Sequence, residues 1–165
     1  MFVIVMGVTG SGKSTIGKLL AERVNLPFYD ADDYHSPENR AKMAADVPLN
    51  EADRRPWLEH LARLAVDWEA AGGAVLACSA LKQAHRDLLV ERIAEHRIVY
   101  LDLPRATAER RLAARRGHHQ FVRDFEHLLD GQYRDLEPPT DALSLASNLP
   151  VAEIVSRAAA FILGE

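Results

Sequence analysis

"GVTGSGKS", residues 7–14, follows the apolar run "FVIVM" (2–6) and leads into "STIGKLLAERV" (14–24). A strand that enters a glycine-rich turn and then a helix leaves backbone N–H groups pointing at open space, where an anion fits. The stretch has the spacing GxxxxGK[ST], with Gly7, Gly10, Gly12, Lys13 and Ser14 in place. Gly10 and Gly12 let the backbone approach oxygen atoms closely, Lys13 reaches the β- and γ-phosphates, and the Ser14 hydroxyl can ligate Mg²⁺. Val8, Thr9 and Ser11 complete the loop, and Thr15 shares in phosphate binding from the helix start, where it could also serve as a local cap. The loop therefore implies a nucleoside triphosphate.

Outward from the loop, short apolar runs alternate with longer amphipathic ones. "PFYD" (27–30), "AVLACS" (74–79), "RIVYLDL" (97–103) and "ALSLA" (142–146) join "FVIVM" as strands, each mostly apolar as a strand buried on both faces must be. Helical patterns cover 13–24, parts of 37–71, 82–94, 105–116, about 122–135 and 150–163. This alternation predicts an α/β fold with a five-stranded parallel sheet flanked by helices. "AGG" (71–73) closes the second helical region, and "EPPTD" (137–141) is a turn that no helix continues through. Residues 31–73 are too many for a plain crossover and predict an inserted helical region that binds the substrate.

At 165 residues and 48% hydrophobic, the chain has enough material for one core and one domain, 1–165. A net charge of −4 without blocks of like charge argues against a nucleic-acid or membrane-surface partner and favours a small molecule. Cys78 is the only cysteine, so no internal disulfide can form, and the start of the chain has no signal-peptide pattern. A cytoplasmic location is expected. No apolar run approaches the roughly 20 residues that span a bilayer.

The chemistry must then be read from the other strand ends. No guanine-reading NKxD segment is present, and the third strand ends in "ACSALK" rather than in a carboxylate. The nearest acidic groups are in "FYDADDYH" (28–35), at the tip of the second strand, where open parallel sheets bind ligands. Asp30 and Asp32 share a face if the strand continues. One carboxylate can hold Mg²⁺ or its water while the other takes a proton from an attacking hydroxyl.

Beyond them, "HSPENRAKMAADVPLNEADRRPWL" (35–58) collects more polar groups than a structural helix needs. Together with "MGVTGSGKSTIG", "CSALKQAHRDLL", the arginine-rich stretch through "RRGHH" and "LLDGQYRDLEPP", this segment resembles the gluconate kinases. These are small P-loop sugar kinases related to shikimate and adenylate kinases. The pairing of "CSALK" with "PLNEADRRPWL" is the most specific part of the likeness. The resemblance implies a P-loop fold of the nucleoside-monophosphate-kinase type with a lid at about 115–127. It also implies ATP- and Mg²⁺-dependent phosphorylation of D-gluconate at its 6-hydroxyl, and it suggests a homodimer.

Carried onto this chain, the resemblance puts Asp30 with Ser14 near Mg²⁺ and Asp32 near the accepting hydroxyl as the base. His35, Arg54, Lys82 and Arg86 become the candidates for gripping gluconate, with Arg54 as the carboxylate partner because a guanidinium can bond two oxygens at once. Arg111 is assigned to the adenine, and Arg115 to the transferring phosphoryl group together with Lys13. Adjacent His118 and His119 lack a ligand set for zinc.

Three departures bear on the acceptor. The pattern's "DGD" reads "DAD" here, Asp46-Val47 stands where a glycine is expected, and the lid reads "GHHQFVRDFEHLL" with extra residues. Another aldonate or a polyol is the alternative within the family. A nucleoside kinase would need groups that read a base, and a regulatory or RNA-associated P-loop protein would need a basic face; the sequence displays neither.

Overall fold

The computed structural model describes residues 1–115 and 125–165, with the side chains of Arg115 and Phe125 also excluded. Five strands, β1 (Phe2–Met6), β2 (Phe28–Asp30), β3 (Ala74–Ala77), β4 (His96–Asp102) and β5 (Leu143–Ala146), form one sheet in the order β2-β3-β1-β4-β5. Every pairing is parallel, with β1 central between β3 and β4. Between and after them come the helices α1 (Lys13–Val24), α2 (Pro37–Ala44), α3 (Glu51–Ala70), α4 (Gln83–Val90), α5 (Arg105–Arg115), α6 (Phe125–Asp135) and, beyond β5, α7 (Val151–Leu163).

Strand alternation divides the core into two layers. Phe2, Ile4 and Met6 point to one face, where α3 supplies Trp57, Leu58, Leu61 and Trp68 and α6 supplies Leu129. Val3 and Val5 point to the other, against Ile16 and Leu20 of α1 and Ile154, Ala158 and Ile162 of α7. From β1 the chain crosses towards β2 first and towards β4 later, so the strand order reverses beside β1. The crevice outside the strand C-termini at such a reversal is where open α/β sheets hold ligands, and the phosphate loop starts there.

Two local structures differ from the expectation. The helix expected over 82–94 ends at Val90, because the Glu69 carboxylate accepts the N–H groups of Ala94 and Glu95 at 3.3 and 3.1 Å and leads the chain into β4. Strand β2 does not run on to Asp32. Its last residue, Asp30, caps a 3-10 turn over Ala31–Tyr34 by accepting the Asp32 N–H at 3.0 Å. Asp30 and Asp32 are thus neighbours across a capped turn, not alternate residues of a strand.

Candidate functional site

The phosphate loop is held in shape from outside. Gly10 and Gly12 have φ of +87° and +93°, a region that L side chains rarely occupy, and Gly12 precedes the first turn of α1. No side chain caps that helix, so its first N–H groups remain available to an anion. The Gln132 side chain of α6 accepts the Thr9 N–H at 2.6 Å and donates to the Thr9 hydroxyl at 2.7 Å. Arg111 of α5 donates to the Gly10 carbonyl at 2.9 Å. The Ser147 hydroxyl, beyond β5, donates to the Ser11 carbonyl at 2.6 Å and accepts from Arg111 at 2.8 Å. Lys13 lies across the loop, its ammonium donating to the Val8 carbonyl at 3.2 Å. Burial lowers the Lys13 pKa, while Asp32, Cys78 and Asp30 oppose the shift.

Beside the loop, the Ser14 hydroxyl donates to Asp30 Oδ2 at 2.6 Å. The other Asp30 oxygen is the cap of the 3-10 turn, so this carboxylate is fixed at both ends. Asp32 is open to water, with its side chain 73% exposed. Its pKa is nevertheless raised, first by loss of solvation among the surrounding protein groups and then by Asp30, with Lys13 pulling the other way. Cys78, buried at the end of β3, has its thiol pushed up to about 12 by burial and stays neutral.

From Asp32 the polar groups continue through His35. Its Nε2 lies 3.9 Å from Asp32 Oδ1, its ring stacks on Trp57 at 4.2 Å between centroids, and Asn39 lies 3.3 Å from Nδ1. Burial, then Arg40 and Arg54, lower the His35 pKa and keep the imidazole neutral. Trp57 is itself fixed by donating from Nε1 to the Ala31 carbonyl at 2.9 Å.

Arg54 stands in the first turn of α3, whose start is set by a capping box between Asn50 and Asp53. Lys42 clamps the same Asp53 at 2.8 and 2.9 Å. A cationic cluster forms around that turn. Glu51 lies 3.4 Å from Arg54, 3.1 Å from Lys82 and 3.0 Å from His85, and Asp135 of α6 lies 3.8 Å from Arg54 and 4.0 Å from Lys82. Hydrogen bonds from His85 and Lys82 hold the Glu51 pKa down to about 2.

Pairwise contacts run from Ser14 to Asp30, from Asp30 to Asp32 and from Asp32 to His35, and Arg54 and Lys82 meet on Glu51. Arg86 does not join them. It is 1% exposed and donates to the carbonyls of Ala80, Leu81 and Glu137 and to Gln83 Oε1, all at 2.8–2.9 Å. With both terminal nitrogens committed and the unpartnered Nε buried, this guanidinium holds the turn before α4 and presents no exposed donor to an acceptor molecule. Arg111 is in reach of the loop, but its N–H groups bind Gly10 and Ser147. Arg115 ends α5, but its side chain lies outside the described residues, as do Arg116, His118, His119 and most of the expected lid.

Glu51, Gln132, Asp135 and Ser147 were not among the residues expected at the site. Gln132 and Asp135 lie in the quoted "GQYRD" and so carried a signal; Ser147 stands in an ordinary turn and carried none. Among the described residues no group of three or more His, Cys, Asp or Glu side chains could hold a metal ion, and no helix is long and apolar enough to cross a membrane.

Comparison with known proteins adds to this geometry. The family model described as shikimate kinase matches residues 9–136. A mouse protein named probable gluconokinase is 44% identical over 156 residues, covering 84% of this chain and 83% of its own. A crystal structure of a gluconokinase from Sinorhizobium meliloti superposes with a TM-score of 0.84 at 36% identity, over 98% of this chain and 91% of the other. An unliganded sugar kinase from Janibacter sp. gives 0.87 at 37% identity, over 98% and 93%.

Proposed function

Because the chain belongs to the gluconokinases, within the shikimate kinase family of P-loop kinases, we infer that it transfers the terminal phosphoryl group of ATP to the 6-hydroxyl of D-gluconate. The observation that supports this acceptor best is a succession of polar side chains, each in contact with or under the field of the next. Lys13 of the phosphate loop interacts with Asp32, Asp32 faces His35, His35 feels Arg54, and Arg54 opens the cluster with Lys82 and His85. A linear sugar acid has the matching order: a terminal hydroxyl at the phosphate end, hydroxyls along the middle and a carboxylate at the cationic end. A substrate carboxylate would join Glu51 and Asp135 around Arg54 and Lys82, whereas a nucleoside would bring no anion to that end.

In this reading Asp32 orients the 6-hydroxyl and accepts its proton as the oxygen bonds to the γ-phosphorus and the bond to the β-phosphate oxygen breaks, releasing ADP. The raised pKa of Asp32 suits a base, since a weakly acidic carboxyl holds the proton better. Lys13 supplies positive charge to the phosphates, and the exposed α1 N–H groups add partial charge. His35, neutral and stacked, serves as a hydrogen-bonding partner for a gluconate hydroxyl. Arg54 and Lys82 receive the carboxylate, with Arg54 suited to a two-point grip. Arg86 contributes only by shaping the turn that carries Lys82. The guanidinium face of Arg111 remains the candidate for packing on adenine, and Arg115 the candidate for the phosphates.

Mg²⁺ belongs to the same reading. The Ser14 hydroxyl and the Asp30 carboxylate are hard oxygen donors 2.6 Å apart, which fits a cation that binds through oxygen and keeps most of its water. Bound there, the ion would neutralise charge on the phosphate oxygens. A cytoplasmic location and a homodimer complete the reading; the dimer is checked by sedimentation equilibrium.

The test is ADP release with ATP and Mg²⁺ across D-gluconate, other aldonates, shikimate, glucose and nucleosides. Turnover confined to D-gluconate is expected. Preference for another acceptor would overturn the assignment of the cationic end.

A further inference from the structure

We propose that helix α6 is the spacer that holds the donor and acceptor subsites at their working separation, with Gln132 as a positioning residue on the donor side. The acceptor half of this proposal rests on the reading above that Arg54 and Lys82 receive the substrate carboxylate; the donor half does not.

Gln132 and Asp135 are three residues apart on α6 and so lie on one helix face, about 4.5 Å apart along the axis. Gln132 engages Thr9 twice: its carbonyl oxygen takes the Thr9 N–H, and its amide nitrogen donates to the Thr9 hydroxyl. The two bonds define which end of the side-chain amide faces which group, since only the oxygen can accept from N–H. Thr9 immediately precedes Gly10, so fixing its peptide aims the following loop amides before any phosphate arrives. Asp135 faces the other way along the crevice, towards Arg54 and Lys82.

The helix has further anchors besides Gln132 and Asp135. The Tyr133 hydroxyl donates to the Leu103 carbonyl just past β4 at 2.5 Å. Just after the helix, Glu137 donates its N–H to the Leu81 carbonyl at 2.9 Å and accepts from Arg86 at 2.8 Å. One short rigid element thus touches the phosphate loop, the end of β4, the turn before α4 and the cationic cluster. Phosphoryl transfer depends mainly on placing the acceptor oxygen in line with the phosphorus, and a displacement of about 1 Å can cost roughly 10²-fold in rate. Gln132 contacts neither reactant on this account and acts through Thr9.

The experiment compares wild type with Gln132→Ala, Gln132→Glu, Thr9→Val and the Thr9→Val/Gln132→Ala pair. It reads kcat, both KM values, the affinity for a non-hydrolysable ATP analogue by calorimetry, and near-ultraviolet circular dichroism. Gln132→Ala is expected to lower kcat by about 10- to 100-fold while KM for the acceptor stays within about twofold. Gln132→Glu keeps an acceptor for the Thr9 N–H, and the Thr9 hydroxyl can turn to donate to it. It is expected to recover most of kcat while weakening the ATP analogue through its added charge. The double variant should lose less than the product of the single losses.

Unchanged kcat in Gln132→Ala, or a loss matched by a loss of native dichroism, would overturn the proposal; so would multiplicative losses in the pair. Because these effects are read on kcat and on nucleotide affinity with whichever acceptor turns over, they are separable from a failure of the gluconate assignment, which would appear in the wild-type acceptor panel alone.

Discussion

The Ser14 hydroxyl and the Asp30 carboxylate meet at 2.6 Å, joining the first turn of α1 to the tip of β2. The contact closes the distance between two segments that both carry phosphate chemistry, and it leaves two hard oxygens side by side. Asp30→Asn keeps the cap on the 3-10 turn but loses the charge. It is expected to lower kcat/KM by about 10²-fold or more, in the range typical of a lost electrostatic group at a reacting phosphate. Excess Mg²⁺ should restore part of the activity. A magnesium titration of the initial rate checks this, and an unchanged magnesium dependence would remove Asp30 from the metal site.

Asp32 sets the acid limb of the pH profile. A base must be ionised to accept a proton, so kcat/KM for D-gluconate should fall as pH drops through the Asp32 pKa. That limb should lie above the ordinary aspartate value of 3.8, because reduced solvation and Asp30 raise it. Asp32→Asn should flatten the limb and lower the plateau by about 10²- to 10⁴-fold. A limb unchanged in Asp32→Asn would assign it to another group.

Glu51 ties acid stability to the cationic cluster. Its folded pKa, about 2, lies below the free value of 4.5, so the folded state binds this proton less tightly than the unfolded chain does. The contribution is present in full above 4.5 and drains as pH falls towards 2. The Tm of the wild type should therefore drop more steeply across that interval than the Tm of Glu51→Gln. The carboxylate is 60% exposed, which keeps the difference modest. Parallel melting curves for the two proteins at closely spaced pH values would decide it.

Arg86 and Lys82, four residues apart, should fail in opposite ways. Arg86→Ala removes four hydrogen bonds and leaves the buried Ala80 carbonyl without its Arg86 donor, and it is expected to destabilise the fold by about 3–5 kcal/mol, with the folded fraction keeping its KM for D-gluconate. Lys82→Ala should raise that KM by about tenfold, with little change in Tm, since Lys82 is partly exposed and pairs with carboxylates of other elements. Denaturant melts and initial rates on both variants separate the two roles.

Much of this was written in the sequence, and the exceptions share a cause. The β1 to α1 transition was legible because Gly12, Lys13 and Ser14 have a spacing that only one local geometry uses. The five strands were legible from apolar runs with few polar interruptions. The break of α4 at Val90 was hidden because its agent, Glu69, is about 25 residues away and looks like any helix carboxylate. Arg86 was misread for a similar reason. An arginine near the start of a helix beside a substrate region has the same letter whether it faces solvent or three carbonyls. Asp30 and Asp32 were placed correctly by region, but the self-capping of Asp30 replaced strand geometry with a turn.

The phosphate loop near the N-terminus is shaped by Arg111, Gln132 and Ser147, and its strand β1 is paired only when β3 and β4 are in place. Contacts between such distant parts of a chain form late and slowly. On the ribosome, the phosphate loop is therefore made before the segments that shape it. A nascent chain halted before Ser147 emerges has the whole motif but lacks one of the groups that shape it, so nucleotide should stabilise the chain fully only once synthesis has passed Ser147.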